Sequence, residues 1–124
     1  MKKYALLILA IVALIIGALA YYAYASPLKI SSEEAKRRIF DGKIDVVLDV
    51  RTNLEYNLGH YPEALHIPTA NLDAEIGKKV PNKDARILVY CNTGQRSRAA
   101  AELLHAKGYK NTRYIIGPYW SLLQ

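Results

Sequence analysis

Cysteine is almost absent: the 124 residues contain one, Cys91. A single thiol excludes an intramolecular disulfide and any zinc site built on paired cysteines. Histidine is scarce too, and His60, His66 and His105 show no mutual metal-ligand spacing, which leaves them as structural residues, His60 ordering a loop. Also missing is a concentrated basic stripe. The formal charge is +6, from 17 Lys and Arg against 11 Asp and Glu, but Lys2 and Lys3 precede an apolar segment. The remaining basic residues are scattered apart from Lys36-Arg37-Arg38 and Lys78-Lys79, a pattern of solvated helix faces that argues for no nucleic-acid partner. No internal repeat or low-complexity tract interrupts the chain, whose length suits one compact domain.

Charge is lacking altogether from Tyr4 to Ala25, a run of 22 residues. At about 1.5 Å rise per residue, a helix of that length crosses a bilayer core. Met1-Lys2-Lys3 supplies the charged start of a secretory signal, and Ala23-Tyr24-Ala25 offers a small-x-small cleavage pattern. The run exceeds the usual apolar core of a signal, and Tyr21, Tyr22 and Tyr24 suit a membrane interface, so an uncleaved anchor is favoured over cleavage after Ala25. Both readings place the remainder outside the cytoplasm, as a membrane-anchored domain or as a periplasmic or secreted one. The chain thus divides into residues 1–25, signal peptide or anchor, and 26–124, the domain. A lone thiol in an oxidising compartment calls for a chemical reason.

After Pro27 the composition becomes globular. Ser31 and Glu34 have the spacing of a capping box, with Gly42 as the stop of a short helix. Asp45 to Val50 reads as a strand buried on both faces. Thr52 and Glu55 repeat the capping-box spacing, and Gly59 stands where that second helix ends. Ala64 to Ile67 reads as a strand closed by Pro68, Asn71 to Lys79 as a helix, and Arg86 to Tyr90 as a strand after the turn residues Pro81 to Asp84. A helix from Ser97 to Lys107 and a last strand from Thr112 to Ile116 follow. Strands alternating with helices imply an α/β fold with a mainly parallel central sheet and helices on both faces, preceded by the N-terminal apolar helix.

Cys91 stands where a strand gives way to a helix, the end of an α/β sheet at which ligands gather. The loop Cys91-Asn92-Thr93-Gly94-Gln95-Arg96 is short and polar, and its amides can converge on one point. Gly94 permits the backbone conformations this needs. Loop amides and the Arg96 guanidinium would both favour the thiolate, the form that attacks or accepts sulfur.

The run Val89-Tyr90-Cys91-Asn92-Thr93-Gly94-Gln95-Arg96-Ser97 resembles the active-site loop of single-domain rhodaneses. Leu48-Asp49-Val50-Arg51, Glu55-Tyr56, Gly59-His60, Pro62, Ala64 and Ile67-Pro68 resemble the family's N-terminal pattern in order and spacing. The whole is most similar to small exported rhodaneses with one domain. The resemblance implies a sulfurtransferase in which Cys91 holds a persulfide, the amides of Asn92, Thr93, Gly94 and Gln95 cradle it, and Arg96 closes the loop. It also implies that Asp49 and Arg51 are mainly structural. Two departures stand out. The chain reads Ile116-Gly117-Pro118-Tyr119-Trp120 where many members have two glycines before the tryptophan, and Tyr61 and Glu63 replace an apolar residue and a glycine beside Pro62.

The reaction expected is double displacement: Cys91 takes a sulfane sulfur from a small donor such as thiosulfate, and a thiol, cyanide or a partner protein removes it. It needs no cofactor and no metal, and a monomer suffices. With no second cysteine, the acceptor comes from outside. The alternative is a membrane-tethered binding module or persulfide carrier without turnover. Phosphatase or arsenate-reductase chemistry is a minor alternative, because related enzymes keep five residues between Cys and Arg, and here Ser97 occupies that arginine's place.

Overall fold

The computed structural model describes residues 2–123, with backbone alone at residues 23–25. An apolar helix α1 (Lys2–Ala25) precedes α2 (Ser32–Phe40), β1 (Val46–Asp49), α3 (Asn53–Leu58), β2 (Leu65–His66), α4 (Thr69–Lys79), β3 (Ile87–Tyr90), α5 (Gln95–Ala106) and β4 (Thr112–Tyr114). A 3₁₀ helix, Tyr119–Leu122, follows. The four strands form one fully parallel sheet in the order β2-β1-β3-β4. The cleavage pattern Ala23-Tyr24-Ala25 falls at the end of α1, where side chains lie outside the described residues.

β3 is buried along its whole length, and its side chains alternate between two apolar layers. Ile87 and Val89 join Leu48, Ile67, Leu72, Ile76, Ala101 and Leu104, the layer under α4 and α5. Leu88 and Tyr90 join Ala35, Ile115 and Leu122, the layer under α2 and the 3₁₀ helix. The two-residue period of a strand produces this division, and each fully buried aliphatic side chain contributes roughly 1.5–3 kcal/mol.

Helix starts show what local chemistry decides. Thr52 and Glu55 form a complete capping box at α3, with the Glu55 amide donating to Thr52 Oγ1 at 3.3 Å and the Thr52 amide to Glu55 Oε1 at 3.2 Å. At α2 only half of the expected box forms: Ser31 Oγ accepts from the Glu34 amide at 3.0 Å, while the Glu34 carboxylate turns to Arg37 and Arg38. Both arginines lie within one turn and outcompete a neutral amide for the carboxylate. α4 and α5 begin two residues earlier than the sequence suggests, at Thr69 and Gln95. Gln95 and Arg96 therefore belong to the first turn of α5, not to a free loop. Gly94, at φ 91°, turns the chain directly into that helix, and its carbonyl accepts from the Arg98 amide at 2.9 Å.

The junction between α1 and the domain is tight. Lys29 N–H closes a turn onto the Ser26 carbonyl at 3.1 Å, and Ser26 is buried. Residues 28–30 then run parallel to β4, with Tyr114 N–H donating to the Leu28 carbonyl at 3.0 Å and Ile30 N–H to the Tyr114 carbonyl at 2.9 Å.

Candidate functional site

Cys91 follows β3 directly and lies at the carboxyl end of the sheet, where β1 and β4 also deliver Arg51 and Ile116. Its side chain is fully enclosed, with no accessible surface. Two features close it in. The loop folds back so that Gly94 N–H and Ser97 N–H donate to Sγ at 3.2 and 3.3 Å, and Cys91 packs in the same apolar cluster as Val50 and Ile67.

Gly94 is the amide from the expected cradle that reaches the sulfur. Ser97 supplies the other, and was not singled out as a sulfur contact from the sequence. Its hydroxyl stands 3.4 Å from Sγ and lies 3.2 Å from the Gly94 carbonyl and 3.1 Å from that of Ile115. A small hydroxyl residue directly after the loop arginine was the available signal. Asn92, Thr93 and Gln95 are exposed at the rim. No other backbone would serve at Gly94: a Cβ there would lie 2.6 Å from Ile116 Cγ1.

Arg96 is not free to act on the sulfur alone. Its Nη1 and Nη2 donate to Glu55 Oε1 and Oε2 at 2.7 and 3.0 Å, and Asn92 Nδ2 donates to Glu55 Oε2 at 2.8 Å. The hydrogen bond to Arg96 is the largest cause holding the Glu55 carboxyl down at about 2, with Thr52 adding to it against the opposing effect of burial. Charge-assisted pairing of this two-pronged kind fixes orientation as well as charge.

Beneath the loop, Asp49 and Arg51 form a buried ion pair, Nη2 to Oδ2 at 2.7 Å. Tyr90 O–H donates to Asp49 Oδ2 at 2.5 Å and accepts from the Tyr61 amide at 3.0 Å, while Arg51 Nη2 also donates to the Gly59 carbonyl at 2.6 Å. Burial, then the bond to Asp49, pushes the Tyr90 hydroxyl above its ordinary range. Removing one partner of such a buried pair typically costs about 3–5 kcal/mol, so this cluster fixes the end of β1 under the site. The histidines are engaged with backbone: His60 Nδ1 with the Tyr56 carbonyl, His66 Nε2 with that of Arg51, and His105 Nε2 with that of Thr112. His60 and His66 also stack on Tyr56, with ring centroids 3.7 and 4.2 Å apart.

Both departures from the family pattern have structural counterparts. Glu63 adopts φ 67°, the left-handed region that a glycine would occupy freely. Pro118 opens the 3₁₀ helix, which lays Tyr119 beside Gly59 and over Arg51, 5.6 Å from ring centroid to guanidinium carbon, and leaves Trp120 exposed.

A family model for the rhodanese-like domain matches residues 31–120. The adenylyltransferase and sulfurtransferase UBA4 of Saccharomyces cerevisiae is 34% identical over 87 residues, covering 63% of this chain and 20% of the yeast protein. Thiosulfate sulfurtransferase PspE of Escherichia coli is 37% identical over 62 residues, covering 50% of this chain and 60% of that protein. The alignments thus span a fifth to three fifths of these relatives. Among solved structures, the human single-domain sulfurtransferase TSTD1 superposes with a TM-score of 0.67 at 24% identity, over 79% of this chain and 96% of its own, a likeness of fold.

Proposed function

The chain belongs to the rhodanese-like domain family, and from that membership we propose that it is a sulfurtransferase working through a Cys91 persulfide. The single observation that carries the reading is the pair of amides, from Gly94 and Ser97, aimed at Cys91 Sγ at 3.2 and 3.3 Å. Two N–H dipoles converging on one sulfur offer hydrogen bonds to the negative charge that the exchange places there. In the first step the thiolate attacks the sulfane sulfur of a donor such as thiosulfate; the donor's S–S bond breaks and sulfite leaves with the electron pair. In the second, a thiolate or cyanide attacks the outer sulfur of Cys91 and the enzyme thiolate is regenerated. Arg96, oriented by Glu55, offers positive charge to the anionic donor at the loop. The loop side chains must part for a donor to reach the enclosed sulfur.

Intact-mass measurement of the full chain tests this. Thiosulfate is expected to add the mass of one sulfur atom, cyanide or an added thiol to remove it, and Cys91→Ser to abolish both. A serine variant that still loads sulfur, or a reduced native thiol that never gains it, overturns the reading.

A second reading draws on the complete burial of Cys91. A thiol that loads sulfur but does not turn over is a carrier, and one that never loads belongs to a binding module; steady-state thiosulfate turnover separates both from the enzyme.

We further propose that α1 anchors the domain in a membrane, with Lys2 and Lys3 on the cytoplasmic side and residues 26–124 on the other. Lys2–Tyr22 has a mean hydropathy of 2.6 and is exposed throughout, as a segment meant for lipid would be. A cytoplasm-dependent reporter active when fused after Gln124 would contradict that topology.

A further inference from the structure

The end of α1 is held against α5. Arg98 stands over the Tyr22 ring, 4.8 Å from its centroid, and the Tyr22 hydroxyl is hydrogen-bonded to Glu102, itself paired with Arg98 at 3.1 Å. Arg98 is in the first turn of α5 and follows Ser97, whose amide holds the Cys91 sulfur. The last turns of the apolar helix are therefore neighbours of the catalytic loop.

Direction follows from the chain path. α5 connects two parallel strands, so it runs away from the catalytic end. Residues 28–30 run with β4, towards that end, and the turn from Ser26 to Lys29 reverses the chain just before them. α1 therefore arrives travelling away from the catalytic end, alongside α5. Only three residues of α5 precede Arg98, about 4.5 Å of helix, so α1 clears the domain within about one turn before Tyr22. Its apolar length emerges on the side of Cys91. Three large apolar side chains are exposed at that same end: Leu54 and Leu58 on α3, which follows β1, at 69% and 80%, and Trp120 after β4 at 64%. At the opposite end, before β1, β3 and β4, Phe40 is exposed too, but singly, beside a polar cleft lined by both signs of charge, among them Arg37, Arg86 and Arg113 with Glu34, Asp41 and Asp84.

We propose that the catalytic end of the domain rests on the bilayer that holds α1, with Leu54, Leu58 and Trp120 in the interfacial layer. Cys91 is then reached from the membrane surface. Continuity with the membrane helix and the position of a tryptophan at that rim support this occupant, since tryptophan favours the headgroup level. The proposal rests on α1 being an anchor.

Trp120 is the only tryptophan, which makes it a reporter. The full chain is placed in phosphatidylcholine–phosphatidylglycerol vesicles, plain or brominated near the headgroup end of the acyl chains. Trp120 emission is expected to lose most of its intensity in the brominated vesicles. Trp120→Phe with Leu58→Trp should be quenched likewise, and Trp120→Phe with Phe40→Trp, at the opposite end, should not. Unquenched indoles at 120 and 58 in chains that float with the vesicles after a carbonate wash overturn the proposal and leave the anchor standing. Quenching at 40 instead would put the opposite end on the lipid and also overturn it. A chain that fails to float removes the anchor and the proposal together, while sulfur loading of the same sample still reports on the enzyme reading.

Discussion

Glu55 grips Arg96 across 41 residues of sequence, with both carboxylate oxygens engaged at 2.7 and 3.0 Å. The same carboxylate caps α3 through Thr52 and holds Asn92. One side chain thus ties the helix after β1 to the loop after β3. Local helix chemistry and the order of the sulfur loop are set by the same ionisation.

That ionisation gives stability a pH dependence. Glu55 titrates at about 2 in the folded chain against an ordinary 4.5, so its contribution is complete above about 4.5 and is lost as the pH falls towards 2. Glu55→Gln should lower the thermal midpoint at neutral pH, and the gap to the native chain should close between those values. Asp45, held down at about 2 by Arg86, titrates in both proteins and cancels from the difference. A gap that stays constant to pH 2 would refute the assignment.

Gly94→Ala should destabilise the loop for two separable reasons. The left-handed backbone costs a side chain roughly 1–2 kcal/mol, and the new Cβ meets Ile116 Cγ1 at 2.6 Å. In an Ile116→Ala background the Cγ1 contact goes, the Cβ at 3.3 Å and the backbone strain remain, and the cost of Gly94→Ala should fall towards about 1–2 kcal/mol in a denaturant double-mutant cycle. Equal costs in both backgrounds would show that Ile116 plays no part.

Glu63→Gly should stabilise the protein. Relief of the left-handed backbone, roughly 1–2 kcal/mol, exceeds the added unfolded-state freedom of glycine, roughly 0.4–1 kcal/mol. The net gain of about 0.5–1 kcal/mol corresponds to a rise in Tm of a few degrees for a domain of this size. A lower Tm would mean that the Glu63 side chain contributes more than its backbone costs.

The alternation of elements was legible because strand and helix signals are local: β-branched runs, caps, and glycines at helix ends. The Cys91 loop was legible for the same reason, being six contiguous residues with a distinctive order. What escaped depended on distance. Nothing near Arg96 announces Glu55, and nothing in the polar loop announces that Gly94 and Ser97 would wrap the sulfur deeply enough to bury it. The pairing of residues 28–30 with β4 escaped as well, because Pro27 and Lys29 carry no strand signal and the segment acquires its register only from Tyr114.

That pairing bears on how the sheet avoids partners of its own kind. β4 lies at one side of the sheet and would otherwise offer the Tyr114 amide and carbonyl to another chain; Leu28 and Ile30 occupy both. At the other side β2 is two residues long, too short a template for strand addition, and Pro68 follows it closely with no N–H to donate. The segment leading into the domain is therefore also its guard against edge-to-edge aggregation.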